Sequence, residues 1–256
     1  MTQLAWFGGV TLFFITLIFP IQFDREWITI GWALEGVAVL MLWQRLDHPG
    51  LKWFGLALLA AVTVRLVANP EVLSYWPRSG WRVLNWITYT YLVPAAALFG
   101  AARILEPLEL PRLRPSERQI YGGERPLAAE ATGLAGLAVV FVWLNLTIAD
   151  WFATGDVLRL DFERLPARDL VTSIAWALYA LLLLALGVRG RSVTLRWVSL
   201  GVMMVTIAKV FLYDLGELQD LYRVASLLGL AVSLILVSLA YQRFVLRREP
   251  APDQAP

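Results

Sequence analysis

Apolar residues in this chain neither alternate nor keep to one stripe of a helix. They fill whole runs that are broken by short polar or proline-rich stretches. A stretch such as ALYALLLLALG is apolar on every face, which suits a helix surrounded by lipid and does not suit a barrel strand, where lumen-facing positions would be polar. A helix needs about 20 residues to cross a hydrocarbon layer of about 30 Å. Runs near that length fall at residues 4–20, 28–44, 52–69, 83–103, 129–149, 170–188, 196–214 and 222–242, so the pattern predicts eight transmembrane helices. Composition agrees: 59% of residues are hydrophobic and only 16% are charged. A soluble domain of this size would be left with far too much apolar surface.

The first run resembles a secretion signal in length, but MTQLAWFGG has no basic head and no small-residue cleavage site precedes Pro20. It is therefore read as a membrane helix. Eight spans place both termini on one side. Thirteen of the 22 Lys and Arg residues lie on that side, seven on the other, and Arg65 and Lys209 fall within spans. The excess of basic residues marks the cytoplasmic face, so the chain is expected to be a multi-pass protein of the cell inner, or plasma, membrane with both termini cytoplasmic. The basic loop GVRGRSVTLR and the acidic hairpin DLGELQD agree with that orientation. The segment from Asp150 to Asp169 reads as a short amphipathic turn on the outer surface.

Laying the chain over itself at an offset of 144 brings unlike features into register. Trp32 falls on Trp176, Glu35 on Tyr179, Lys52–Trp53 on Arg196–Trp197 and Arg65 on Lys209. After a gap of three, WRVLNW falls on YRVASL and pairs Arg82 with Arg223. Chance aligns leucines readily but not this set, which points to duplication. The expected fold class is all-α integral membrane, with eight transmembrane helices as two tandem, parallel four-helix repeats. Residues 1–105 form the first repeat, 106–127 a cytoplasmic linker rich in Pro and charge, 128–245 the second repeat and 246–256 a cytoplasmic tail. Repeats that point the same way are related by a pseudo-twofold axis along the membrane normal, so equivalent residues share a depth.

Charges inside the spans are the candidate chemistry. Lys209 and Arg65 lie about 7 Å inside the predicted external ends of their helices, close enough for their stems to reach outward. Glu35 lies about 12 Å deep, and its stem is too short for that. A carboxylate at that depth costs about 2.5–3.5 kcal/mol when unpaired, so it must find a cation or a hydrogen-bond donor, or take up a proton. The expected site is a polar cluster in the outer half, between the repeats, built from Glu35, Arg65, Tyr179 and Lys209 and closed from outside by Asp214 and Arg223. The alternative is that these are internal ion pairs that fix helix register and hold no ligand. Pro94 lies inside the fourth span, where it can kink the helix. Trp6, Trp27, Trp53, Trp76, Trp81, Trp86, Trp151 and Trp197 fall near span ends, as amphipathic rings at headgroup level do. Trp32 and Trp176 lie deeper and read as packing residues.

Cysteine is absent and His48, in a turn, is the single histidine. That removes thiolate nucleophiles, cysteine-held metals, paired-histidine metal or haem sites and histidine triads. No nucleophile elbow, P-loop or dinucleotide fingerprint occurs. No catalytic residue, metal site or cofactor is therefore assigned, and enzyme activity is the less favoured reading. The basic residues are scattered through loops, which argues against a nucleic-acid partner.

WAL at Trp176–Leu178, the basic loop Arg189–Arg196, KVFLYDL from Lys209 and YRVAS from Tyr222 resemble the C-terminal region of a bacterial, polytopic "predicted membrane protein" family of unknown function, the domain of unknown function 2339. REWITIGWALEG in the first half is similar to the preceding part of that region. The resemblance implies an α-helical inner-membrane protein and supplies no catalytic residues. Members run longer, so the chain is a minimal member or one piece of a larger protein. Two roles are consistent with this. One is transport or binding of a small amphiphilic or anionic solute, with Arg65 and Lys209 as its cations and Glu35 as a proton-linked partner. The other is a structural or assembly subunit of a larger membrane complex with no ligand site. Membrane lipids are the expected partners in both, joined in the second by another membrane protein or by a second copy.

Overall fold

A computed structural model of the chain describes residues 11, 14, 16, 18, 25–69, 77, 81, 84–113, 117, 125–155, 158, 165–214, 228–229, 231–235 and 237–239. The regular elements within these ranges are six α-helices and one π-helical turn. They are α1 (Arg25–Leu46), α2 (Pro49–Ala68), α3 (Trp86–Glu109), α4 (Leu127–Phe152), α5 (Pro166–Arg189) and α6 (Val193–Lys209), which runs on through the wide turn Val210–Asp214. All six helices are long and apolar enough to cross a membrane. They match the second to seventh predicted runs. The first and eighth lie largely outside the described residues, although Thr11, Phe14, Thr16 and Ile18 in the first and Leu228, Gly229 and 231–235 in the eighth have helical backbone.

Contacts divide the chain into two compact units, Met1–Asp161 and Phe162–Pro256. In the first, α1 packs against α2 and α3, and α4 packs along α3. The helices alternate in direction, so the α1–α2 turn, the end of α3 and the start of α4 share one end of the unit. The opposite end is tied together by polar contacts. Tyr91 donates from its hydroxyl to the Leu66 carbonyl at 3.1 Å, Trp27 and Tyr89 stack at 6.0 Å, and Asn85 donates to buried Asp150 at 3.5 Å. Asn85 also caps α3, accepting from the Thr88 amide at 3.1 Å. The α3 helix continues through Pro94, which is buried.

The α1–α2 hairpin closes at glycine. A methyl group added to Gly36 would lie 2.9 Å from Leu59 Cγ and 3.2 Å from the Gly55 carbonyl; one added to Gly55 would lie 2.9 Å from Leu40 Cγ and 3.0 Å from the Gly36 carbonyl. The backbones can approach this closely only because both positions lack a side chain. The turn uses Asp47 at φ 50°, followed by His48, whose ring Nδ1 accepts from the Gly50 amide at 3.2 Å, and by Pro49 in the first helical turn. Proline at that position already has helical φ and lacks only an amide that would have had no helical partner.

In the second unit, the α5–α6 hairpin repeats these local features at the 144 offset. Arg191 has φ 50°, and Ser192 caps α6 by accepting from the Leu195 amide at 3.3 Å. At the positions of Gly36 and Gly55 stand Ala180 and Ser199, and the Ser199 hydroxyl donates to the Ala180 carbonyl at 2.9 Å. Both hairpins thus have a close contact at the same pair of positions.

Leu34, Met41, Val64, Leu178, Leu182 and Val205 are among the large apolar side chains left exposed along the helices, and these faces contact lipid. Trp27, Trp53, Trp151 and Trp197 are about half exposed near helix ends, whereas Trp86 is buried. Replacing Gly36 or Gly55 by Leu should destabilise the protein by about 1–3 kcal/mol through overpacking. Gly201 has open space around it, so Gly201→Leu should change little. Unfolding of the purified variants by titration with a denaturing detergent checks both outcomes.

Candidate functional site

Glu35 sits in the middle of α1 and is 8% exposed. Its neighbour is Thr16, whose hydroxyl donates to Oε1 at 2.5 Å. One turn earlier on α1, Trp32 Nε1 donates to the Thr16 carbonyl at 3.4 Å, which fastens the same segment a second time. The second carboxylate oxygen, Oε2, is buried and has no hydrogen-bond partner among the described residues. No ion pair joins Glu35 to a described cation.

The pairing of Glu35 with Arg65 is not made, and the hairpin register supplies the reason. Arg65 lies ten residues beyond Gly55 on α2, which is the level ten residues before Gly36 on the antiparallel α1; Thr29 lies seven before Gly36. Glu35 is nine residues, or about 13 Å, further along α1 from that level. The second hairpin has the same spacing: Lys209 lies ten residues beyond Ser199, and Ser173 lies seven before Ala180. There the contact is formed. Lys209 Nζ donates to Ser173 Oγ at 2.8 Å and to the Asp169 carbonyl at 3.1 Å, and it lies 5.6 Å from the Tyr213 ring centre. Ser173 in turn donates to the Asp169 carbonyl at 3.1 Å. The lysine thus lies across the hairpin and bonds α5. In the first hairpin the counterpart of Ser173 is Thr29, which is fully buried and whose hydroxyl has no hydrogen-bond partner among the described residues.

Tyr179, at the position equivalent to Glu35, is buried on α5. Glu35 and Arg65 belong to the first unit, and Tyr179 and Lys209 to the second. The Asp214 side chain and all of Arg223 lie outside the described residues.

A second polar cluster occupies the other end of the first unit. Lys52 Nζ lies 3.8 Å from both Glu109 Oε1 and Glu117 Oε1, with side chains 4%, 0% and 10% exposed respectively. Glu109 accepts from the amides of Ala128 at 2.9 Å and Ala129 at 3.0 Å. It therefore caps α4, whose own cap position, Pro126, supplies no side-chain hydrogen bond. A carboxylate at a helix N-terminus is favoured by the unpaired amides and the helix dipole together. Trp53 Nε1 donates to Glu117 Oε1 at 3.1 Å, and Lys52 lies 5.4 Å from the Trp53 ring centre. Nearby, Arg112 donates to the Trp43 and Gln44 carbonyls at 3.0 Å each, which caps the end of α1, and pairs with Asp47 at 3.5 Å.

The hydropathy pattern alone puts Lys52 at the cytoplasmic margin of its span and Glu109 in the linker, and neither stands out as part of a cluster. Pro49 after His48 is the available signal: it starts α2, so that Lys52 lies one turn inside the helix. No group of three or more metal-ligating side chains occurs among the described residues.

A family model described as Predicted membrane protein (DUF2339) matches residues 66–244. No curated protein and no solved structure matches the chain.

Removing the lysine of the buried cluster leaves two carboxylates without their cation. Lys52→Met should therefore cost about 3–5 kcal/mol. Combining it with Glu109→Gln and Glu117→Gln should restore much of that loss, as a detergent-unfolding series would show. In the second unit, Ser173→Ala and Lys209→Met should each destabilise. Their combined effect should fall short of the sum by about 1.5–3 kcal/mol, the range for a hydrogen bond to a charged group.

Proposed function

The chain belongs to the Predicted membrane protein (DUF2339) family, and from that premise we propose that it binds or carries a small amphiphilic or anionic solute in a bacterial inner membrane, with Glu35 as the acidic group of its site. The observation that carries this reading is the sealed carboxylate in a span, bonded to one hydroxyl, with Oε2 left over. Such a group is expensive to bury, and intramembrane ionisable residues most often serve a transported or bound species. Arg65, on the neighbouring helix and near the end of its span, supplies the cation for an anionic head.

The proposed architecture is a duplicated one with both termini cytoplasmic. It is supported by the excess of basic residues on the side of the α1–α2 and α5–α6 turns. It is also supported by features that recur 144 residues apart: the left-handed residues Asp47 and Arg191, the caps His48 and Ser192, and the close approaches at Gly36–Gly55 and Ala180–Ser199.

A second reading, a structural or assembly subunit without a ligand, is favoured by Lys209, whose ammonium group bonds α5 of its own hairpin. Native mass spectrometry of the protein purified from its membrane separates the two. The carrier reading expects a retained small molecule on the wild type that Glu35→Gln and Arg65→Gln lose while staying folded. Lipid alone, identical in all three proteins, would overturn it and leave the assembly subunit.

A further inference from the structure

Resting on the reading of Glu35 as the acidic group of the site, we propose that Glu35 and Thr16 form a binding site for one small monovalent cation, a proton or sodium. The argument starts from charge. Glu35 is more than nine-tenths buried in a span. An ionised carboxylate in so poorly solvated a place needs a positive partner. Charged groups on the helices packed against α1 are Lys52 and Arg65 on α2 and Arg103, Glu106 and Glu109 on α3, and Tyr89 and Tyr91 are titratable. No ion pair joins any of them to Glu35. With no side chain among the described residues to balance it, the charge calls for something smaller than a side chain.

Oxygen chemistry fits that role. Oε2 is buried, faces no hydrogen-bond partner among the described residues and can carry a proton or bind a hard cation. The Thr16 hydroxyl stabilises the other oxygen, Oε1. It donates to the carboxyl group, and a hydroxyl oxygen is the type of group that also accepts from a hard cation. The Trp32 bond to the Thr16 carbonyl holds this hydroxyl in place. Tyr179, at the matching position of the second unit, has no carboxylate, so the cation site belongs to the first unit alone.

Infrared difference spectroscopy on the full chain in lipid, with pH steps in choline chloride or sodium chloride, tests this. A carboxylic-acid carbonyl band that disappears in Glu35→Gln and is unaffected by sodium identifies a proton as the ligand. A Glu35-dependent band that gives way to carboxylate bands only when sodium is added identifies sodium. Thr16→Val, which keeps the acid, should move the band to higher frequency because the hydroxyl no longer bonds it. The proposal is overturned if the Glu35-dependent signal is that of a carboxylate throughout the physiological pH range and is indifferent to sodium. It is also overturned if Thr16→Val leaves the band in place. Protonation of Glu35 without a retained solute would remove the carrier reading alone, whereas a retained solute with an ionised, sodium-indifferent Glu35 would remove only this inference.

Discussion

Close approach of two helix backbones at small residues is the constraint on which the rest of this structure depends. Where Gly36 meets Gly55 each faces the other's carbonyl and a leucine of the other helix, with no room for a methyl group, so the two helices fix their register there. In lipid, helices gain nothing from hiding apolar surface, because the acyl chains are equally apolar; tight packing and hydrogen bonds have to hold them together. Ala180 and Ser199 meet the same requirement with a hydrogen bond added. Every polar group on these helices inherits its neighbours from that register.

The register also separates what the sequence made legible from what it did not. Hydropathy placed α1 to α6 within a few residues, because the bilayer demands long uninterrupted apolar runs and little else produces them. The offset of 144 set positions such as Arg65 and Lys209 side by side without any coordinates. Pairing was harder. Depth estimates suggested that Glu35 and Arg65 could meet, but depth is counted along each helix alone, and the contact depends on where two helices cross. Gly36 is one of several span glycines that permit close helix approach, but nothing marked Gly55 as its partner at the crossing. Thr16 was invisible for a similar reason: a threonine in an apolar run is ordinary until its helix is laid against Glu35.

Lys52, Glu109 and Glu117 illustrate another limit. Each lies next to a stretch that looks solvated, beside Pro49, Pro107 or the charged run PRLRPSERQ. Composition assigns such stretches to water, yet the three side chains are buried together and Glu109 caps α4. The cap explains the exception. A helix that starts with proline at its cap position, in poorly hydrated surroundings, needs an acceptor from elsewhere in the chain, and a carboxylate placed there also attracts the lysine. The two polar clusters of the first unit differ in this respect. The two carboxylates of the Lys52 cluster share a cation, and Glu35 has no ion pair among the described residues.

The tight turns at Asp47–His48 and Arg191–Ser192 take on a further meaning once register is seen to govern the helices. Each residue added to an α-helix turns all later positions by about 100° around its axis. One extra residue in α2 ahead of Gly55 would therefore swing Gly55 off the face of Gly36, and the same change in α6 would carry Lys209 away from Ser173. The number of helical residues between each turn and its crossing is thus what keeps each hairpin in phase.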